Sequence, residues 1–584
     1  MPVRIIPISA IFDGFKENVS KMNKGSILVA LSFILYLMIS CSPKNRADLI
    51  VTSATVYLID EGFSKAESFA VIDGKIVATG TTEEILKKYA SENIVDAAGK
   101  FVYPGFNDAH CHFNGYANNL AQYADLRGTT RFADIYEILK AHHEKFGGDW
   151  ILGRSWDQND WEVKEFPDNT KLDKLFPETP VYLVRVDGHA GWCNSKALER
   201  AGITATTKVQ GGEVVLKNGQ PTGVLVDNAM GLVSKLIPEI SAEKQQKALL
   251  AAQSNCFSAG LTSVTDCGLD KNTILLMQEM QNRGELKMRI NAMLNPTDEN
   301  FEYFVKTGPI ATEKLVVRTI KLYADGALGS RGALLLEDYS DDPGNRGLHI
   351  KTQEYYNEIC KLAYDNNYIM ATHAIGDSAN RLVLNTYRKF LKGKNDRRWR
   401  IEHAQIVNYD DFEKFAEFSI VPSIQATHCT SDMYWAENRV GAERIKGAYA
   451  YQTLLSQNGW LPNGTDFPVE NIEPLFTFYA SVFRNDHNDF PEGGWQIEEG
   501  LTREQTLRSM TIWAAKASFE EKEKGSLTPG KMADFVILDT DLMTATPQQV
   551  LNVKIESTWI GGEKVFNAQM QLQNTVKVFV FNLL

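Results

Sequence analysis

Several protein classes are excluded by what the 584-residue chain lacks. It has seven cysteines and no CxxC pair, and Cys111, Cys193, Cys256, Cys267, Cys360 and Cys429 are widely scattered, so a disulfide scaffold is not indicated and these thiols are expected as buried, small apolar residues. It has no excess of positive charge either: 61 Lys and Arg against 73 Asp and Glu leave a formal charge of -12. Nucleic-acid binding rests on clustered basic side chains, which makes a phosphate backbone a poor partner and a small molecule a good one. Internal repeats and low-complexity tracts are missing as well, so a repeat array is excluded. What the chain does have is apolar content: 44% hydrophobic residues over this length can bury more than one core and exclude a disordered protein.

The apolar run "SILVALSFILYLMIS" at 26–40 is too short for a comfortable membrane span. Lys21 and Lys24 precede it and Cys41, Ser42 and Pro43 follow it, a pattern similar to a bacterial lipoprotein signal over residues 1–40, with Cys41 as the first mature residue and the site of lipidation. Met38 stands where such signals usually carry leucine, and a start at Met22 would make the signal more ordinary. The expectation is a protein of the bacterial cell envelope, anchored to the membrane by lipid. An uncleaved anchor is the alternative.

Residues 41–100 hold short β-branched runs between Asp-Gly and Ala-Gly turns, and the same alternation returns only in "DFVILDT" (534–540) and "KIESTWIGGEKVFNA" (554–568). The two ends, 41–100 and 521–584, are therefore predicted to pair into a small β-sandwich. Across 101–520, helical stretches alternate with apolar runs that end in polar residues: "LTSVTDCG", "LVVRTIKLYADG", "YIMATHAIGD", "WRIEHAQIV", "FSIVPSIQ" and "WLPNGTD". These runs predict an α/β fold, a TIM-like (β/α)8 barrel whose buried strands present chemistry at their C-terminal ends. A Trp- and Gly-rich stretch at about 115–245 predicts a subdomain inserted over the barrel mouth. The apolar tail "QLQNTVKVFVFNLL" reads as one more strand.

The stretch "YPGFNDAHCH" ends in His110 and His112. Alternate side chains of an extended strand face the same way, so these two imidazoles can converge on one metal ion. Alone, such a pair is a weak signal. His373 ends "YIMATHA", His403 ends "WRIEHAQ", and Asp466 follows Gly464 and Thr465, three more metal-type side chains at three more strand ends. In one barrel all of them share a cavity, and a His/Asp set without thiolate favours a divalent borderline ion: zinc first, with manganese, iron and nickel as alternatives. Lys321 closes another strand run. A charged amine at that depth costs desolvation energy and tends to lose its proton, and a neutral amine can add carbon dioxide to form a carbamate that bridges two metals. Snorkelling to solvent, or pairing with Asp325, is the competing reading.

Together these motifs resemble the amidohydrolase superfamily of metal-dependent hydrolases, and within it the N-substituted formamide deformylase branch. The resemblance spans roughly residues 48–565 and is carried by "DGKIVATG", "GKFVYPGFNDAHCH", "LRG", "DGHAGWCNSKAL", "GQPTGVL", "KLYADGALGSRGA", "HAIGD", "IEHAQ", "GTDFPV" and "GSLTPGKMADFVILD". It implies His110 and His112 as the first-strand metal pair and Lys321 as the fourth-strand lysine, carboxylated in the two-metal form. His373 and His403 follow as fifth- and sixth-strand ligands, with Asp466 as the eighth-strand residue that also handles the proton. The implied reaction is hydrolysis of an amide-type C–N bond, in an N-formyl or N-acyl amine or a cyclic amide, by hydroxide generated on one or two ions.

His189 lies in a motif that the family places near the substrate, so it is read as a substrate or oxyanion contact, against a core histidine. His428, at the end of the seventh strand, is a second catalytic or substrate-contact candidate. Arg331 would meet an anionic substrate group. Trp192, with Trp156, Trp161 and Trp435, would line an aromatic pocket unless packed in a core. His142, His143, His349 and His487 read as solvated surface. A lactonase or deaminase of the same superfamily, and a binding lipoprotein without catalysis, are the competing functions, and a homodimer is compatible with each.

Overall fold

Seven apolar strands run parallel and pair in chain order: β1 (Phe106–Cys111), β2 (Leu261–Leu269), β3 (Arg289–Leu294), β4 (Leu315–Tyr323), β5 (Ile369–Ala374), β6 (Arg400–His403) and β7 (Val421–Ser423). The computed structural model describes residues 44–569. The run before Cys41, Cys41 itself and the apolar tail lie outside the described residues. Helices alternate with the strands and cover the barrel. Helix Gln353–Asp365, for example, starts at Thr352, whose hydroxyl accepts from Tyr355 N, and buries the stripe Tyr356, Ile359, Cys360 and Ala363.

An eighth strand is predicted, but its position is held by the extended segment 462–466. Gly464 N donates to Ile424 O at 3.0 Å on the β7 side, and Asp466 N to His110 O at 2.8 Å on the β1 side. Pro462 has no N–H to give a ladder, and Asp466 turns into the left-handed region at φ 61, so closure is made without a regular strand. Gly464 permits the close approach, because a Cβ there would stand 2.7 Å from Asp108 Oδ1. Asp108 ties the seam, accepting from His110 N and Thr465 N at 3.1 Å and from Thr465 Oγ1 at 2.7 Å.

The β-sandwich joins both ends of the chain. One sheet holds Leu49–Thr52, Ser68–Ile72, Lys75–Gly80 and Ile94–Asp96. The other pairs Phe101–Pro104 with Phe535–Leu538, so that Val102 faces Ile537, and it extends through Ile555–Ile560 and Glu563–Asn567. Val51, Val56, Phe69, Val102, Phe535 and Trp559 fill the space between the sheets. Phe101–Pro104 thus belongs to the sandwich, and the barrel begins only after Gly105.

Sandwich and barrel are bolted together by Arg289, at the start of β3. Its Nε and Nη2 donate to Asp534 at 2.6 and 3.0 Å, with both side chains buried. Removing Asp534 leaves the buried guanidinium with only the exposed Glu313, 3.3 Å from Nη1, so Asp534→Ala is expected to cost about 3–5 kcal/mol. A lower denaturant midpoint checks this; an unchanged midpoint would show that the pair does not hold the two parts together.

The insertion is a six-stranded mixed sheet ordered Ala124–Asp125, Ile151–Trp156, Val181–Arg185, Ala190–Cys193, Gln220–Asp227 and Gly212–Lys217. Its residues Asp157, Arg185, Asp187 and His189 form one wall of the cavity at the barrel mouth. The six described cysteines are all buried and free.

Candidate active site

His110 is fully buried at the end of β1, with Nδ1 2.6 Å from Glu402 Oε2. Two residues on, His112 Nδ1 donates to the carbonyl of Cys267 at 3.1 Å. Both rings therefore turn Nε2 toward Asp466 Oδ1, at 3.5 Å from His110 and 3.3 Å from His112. On β6, Glu402 and His403 both serve this centre although adjacent strand residues point to opposite faces. Left-handed backbone at His403 (φ 73) and Ala404 (φ 44) breaks the alternation and swings His403 into the mouth, a conformation that costs about 1–3 kcal/mol and persists where packing enforces it. The His403 ring centroid lies 4.9 Å from that of His110 and 4.5 Å from that of His373. His373, at the end of β5, has Nε2 3.4 Å from Gly326 O.

Lys321 is fully buried on β4, with Nζ 3.4 Å from His110 Nε2. It neither snorkels nor pairs with Asp325, whose carboxylate accepts from Leu334 N, Ile375 N and Gly376 N instead. The expected loss of its proton is not what its neighbours favour. Burial works against the charge, but the carboxylates of Glu402 and Asp466 favour it, and the amine is held above its ordinary range.

The donor set fits a divalent cation. Ligand atoms of His110, His112 and Asp466 lie within 4.8 Å of one another, and so do those of His403, His428 and Asp466. His403 Nδ1 and Asp466 Oδ1 are buried without a hydrogen-bond partner among the described residues, and an unmet buried polar atom costs about 1–3 kcal/mol. Burial, reinforced by Lys321, pushes His110 down to about 4; burial with neighbouring positive charge also takes His373 and His403 well below the ordinary range. These imidazoles are neutral, as metal ligation requires. Burial would raise the Asp466 carboxyl, but His110, His112 and His428 hold it well below the usual range, so it is ionised.

A cavity of about 450 Å³ opens above these residues. His428 stands on the short helix Thr427–Asp432, with Nε2 3.2 Å from Asp466 Oδ2 and Nδ1 3.1 Å from Glu470 Oε1. Burial opposes its charge, but the two carboxylates raise it well above the ordinary histidine range. At the other end of the arc of imidazoles, His189 lies with its ring centroid 5.0 Å from that of His373 and its Nδ1 2.6 Å from Asp227 Oδ1. Asp227 reaches from the insertion across the loop that follows β4, where a Cβ on Gly326 or Gly332 would overlap its Oδ2. Gly332→Ala is therefore expected to displace the Asp227–His189 pair and lower kcat by about 10²-fold in a folded protein, since a shift of about 1 Å can have that effect. Wild-type turnover in that variant would show that the pair is not used.

Arg331 and three of the four candidate tryptophans, Trp156, Trp161 and Trp192, do not reach the cavity. The Arg331 guanidinium turns away to Asp341, with Nη2 at 2.9 Å, and the arginines that line the cavity are Arg127 and Arg185, the latter bound by Asp157 and Asp187. Trp192 is fully buried in the insertion core, packed against Trp156 and Trp161 at ring-centroid distances of 5.9 and 6.2 Å. Trp435 and, contrary to expectation, His487 line the cavity. Glu402, Asp227 and Glu470 escaped the sequence reading. Their signal was a carboxylate beside or shortly after a strand end, which is too common to single out.

Imidazoles gathered around one ionised aspartate at the C-terminal mouth of a parallel α/β barrel define a metal-dependent hydrolase. The family model described as "Amidohydrolase family" matches residues 93–566, and the chain belongs to that family. It is 32% identical over 544 residues to LONG AFTER FAR-RED 3 of Arabidopsis thaliana, covering 89% of this chain and 92% of that protein. YtcJ of Bacillus subtilis is 31% identical, with 88% and 98% covered, and the N-substituted formamide deformylase of Arthrobacter pascens is 24% identical, with 88% and 97% covered. An uncharacterized metal-dependent hydrolase from Pyrococcus horikoshii superimposes with a TM-score of 0.70 at 27% identity, over 85% of this chain and 99% of that one.

Proposed function

We propose that the protein hydrolyses a non-peptide, amide-type C–N bond in a small molecule, an N-formyl or N-acyl amine or a cyclic amide. The observation that carries this is Asp466: one buried, ionised carboxylate within 3.5 Å of His110, His112 and His428, so that ion binding and proton handling meet at one residue. His110, His112, His403 and Asp466 would hold a divalent ion, zinc first for this donor set. His373 and a carboxylated Lys321 would complete a second position, since a nearby dication opposes the ammonium that the carboxylates favour. A bound ion supplies water acidified to near neutrality and polarises a carbonyl oxygen.

The chain's own groups handle the rest. His428 holds Asp466 Oδ2, leaving the carboxylate aimed by Oδ1 at the reacting centre to accept the proton of the attacking water and release it to the leaving nitrogen. Glu470 steadies His428 from behind. His189, fixed by Asp227, meets the substrate at the far end of the arc. Similarity to the formamide deformylase along most of both chains supports the amide reading. A screen of N-formyl and N-acyl amines, N-acyl amino acids and cyclic amides with metal-loaded protein tests it. Turnover of at least one class is expected; activity on lactones alone, or none despite bound metal, would reject it. Anchoring through a lipid on Cys41 belongs to the same proposal, and release of Cys41→Ser from the membrane fraction is its check.

A further inference from the structure

Beneath the site, the barrel interior contains an ion pair for which the proton transfers have no use. Arg400 and Glu402 are both fully buried on β6, with Arg400 Nε 2.7 Å from Glu402 Oε1. This contact lies off the line of a hydrogen bond, Arg400 Nη1 has no hydrogen-bond partner among the described residues, and Nη2 rests 3.7 Å from Met293 Sδ. Glu402 Oε2, the other oxygen, meets His110 Nδ1 at 2.6 Å. Well-packed apolar residues fill such space at least as favourably as a dry ion pair, so packing alone does not account for two charges here.

The histidines of the first strand differ in what stands behind them. His112 is backed by a neutral carbonyl, Cys267 O, at the longer distance of 3.1 Å. His110 is backed by a carboxylate, which keeps the proton on Nδ1, directs the Nε2 lone pair at the centre and makes the ring a stronger donor. Arg400 occupies Oε1 and so leaves Oε2 to the histidine. We infer that Arg400 and Glu402 are a positioning pair that makes His110 the anchoring ligand of the metal centre. The inference rests on the metal reading of the site.

Zinc affinity of the full chain, measured by competition with a chromophoric chelator, tests it together with the melting temperature of the metal-free protein. Glu402→Gln is expected to weaken zinc binding 10- to 100-fold, the usual effect of losing a partner behind a ligand. Arg400→Met/Glu402→Leu, which removes both charges and keeps the volume, is expected to show the same loss with the metal-free melting temperature retained; it also answers the question if the single variant folds poorly. Zinc binding within threefold of wild type in the folded double variant would overturn the inference and leave the pair a packing feature. Wild-type protein that binds no zinc or other divalent ion would overturn the metal reading, and the inference with it.

Discussion

Asp466→Asn is expected to lower kcat for the best substrate by about 10²- to 10⁴-fold, the range for losing a general acid–base group, with most of the bound metal retained. The substitution keeps the shape and one ligating oxygen. It removes the charge and the capacity to take up a proton. His110 and His112, whose Nδ1 partners are Glu402 and Cys267 rather than Asp466, keep their orientation in the variant. Burial opposes a charged His428, and with Asp466 neutral only Glu470 remains to favour it, so its pKa falls toward the ordinary value. The pH profile of the residual activity is expected to shift to lower pH on that account. A variant with wild-type kcat would show that the proton travels elsewhere.

Dialysis against a strong chelator is expected to abolish turnover, and returning one kind of divalent ion to restore it. The protein alone presents imidazoles and carboxylates, and none of these is an activated nucleophile toward an amide. Stability moves in the same direction. An ion that binds only the folded chain stabilises it by RT ln(1 + [L]/Kd), about 4 kcal/mol at a thousandfold excess over Kd. Turnover and melting temperature should therefore fall and recover together during the titration. Undiminished hydrolysis after demonstrated metal loss would refute a metal-dependent reaction.

The residues legible in the sequence share one property. His110, His373, His403 and Asp466 each end an apolar run, and a parallel barrel collects such ends on one face. Glu402 was hidden by the same rule, since alternation places it opposite His403, and only the left-handed turn at His403 and Ala404 brings both to the centre. Asp227 and Glu470 act through contacts set by the insertion and by a short helix after β7, which strand periodicity does not encode. Trp192 and Arg331 failed for a related reason: composition shows that a tryptophan or an arginine is present, whereas packing against Trp156, or capture by Asp341, decides where it points. The missing eighth strand traces to Pro462, a residue visible in the sequence, which has no N–H to donate to a ladder, so that Gly464 N and Asp466 N make the closing bonds instead.

In the proposed centre, imidazole and carboxylate groups hold a divalent cation at the barrel mouth, close to the thiol-bearing Cys111 and Cys267. X-ray absorption at the edge of the bound metal distinguishes these donors directly. The expected spectrum shows nitrogen and oxygen neighbours at about 2.0–2.2 Å with outer-shell imidazole scattering and no sulfur. A sulfur shell near ~2.3 Å, or a fully active protein with no bound metal to measure, would contradict it.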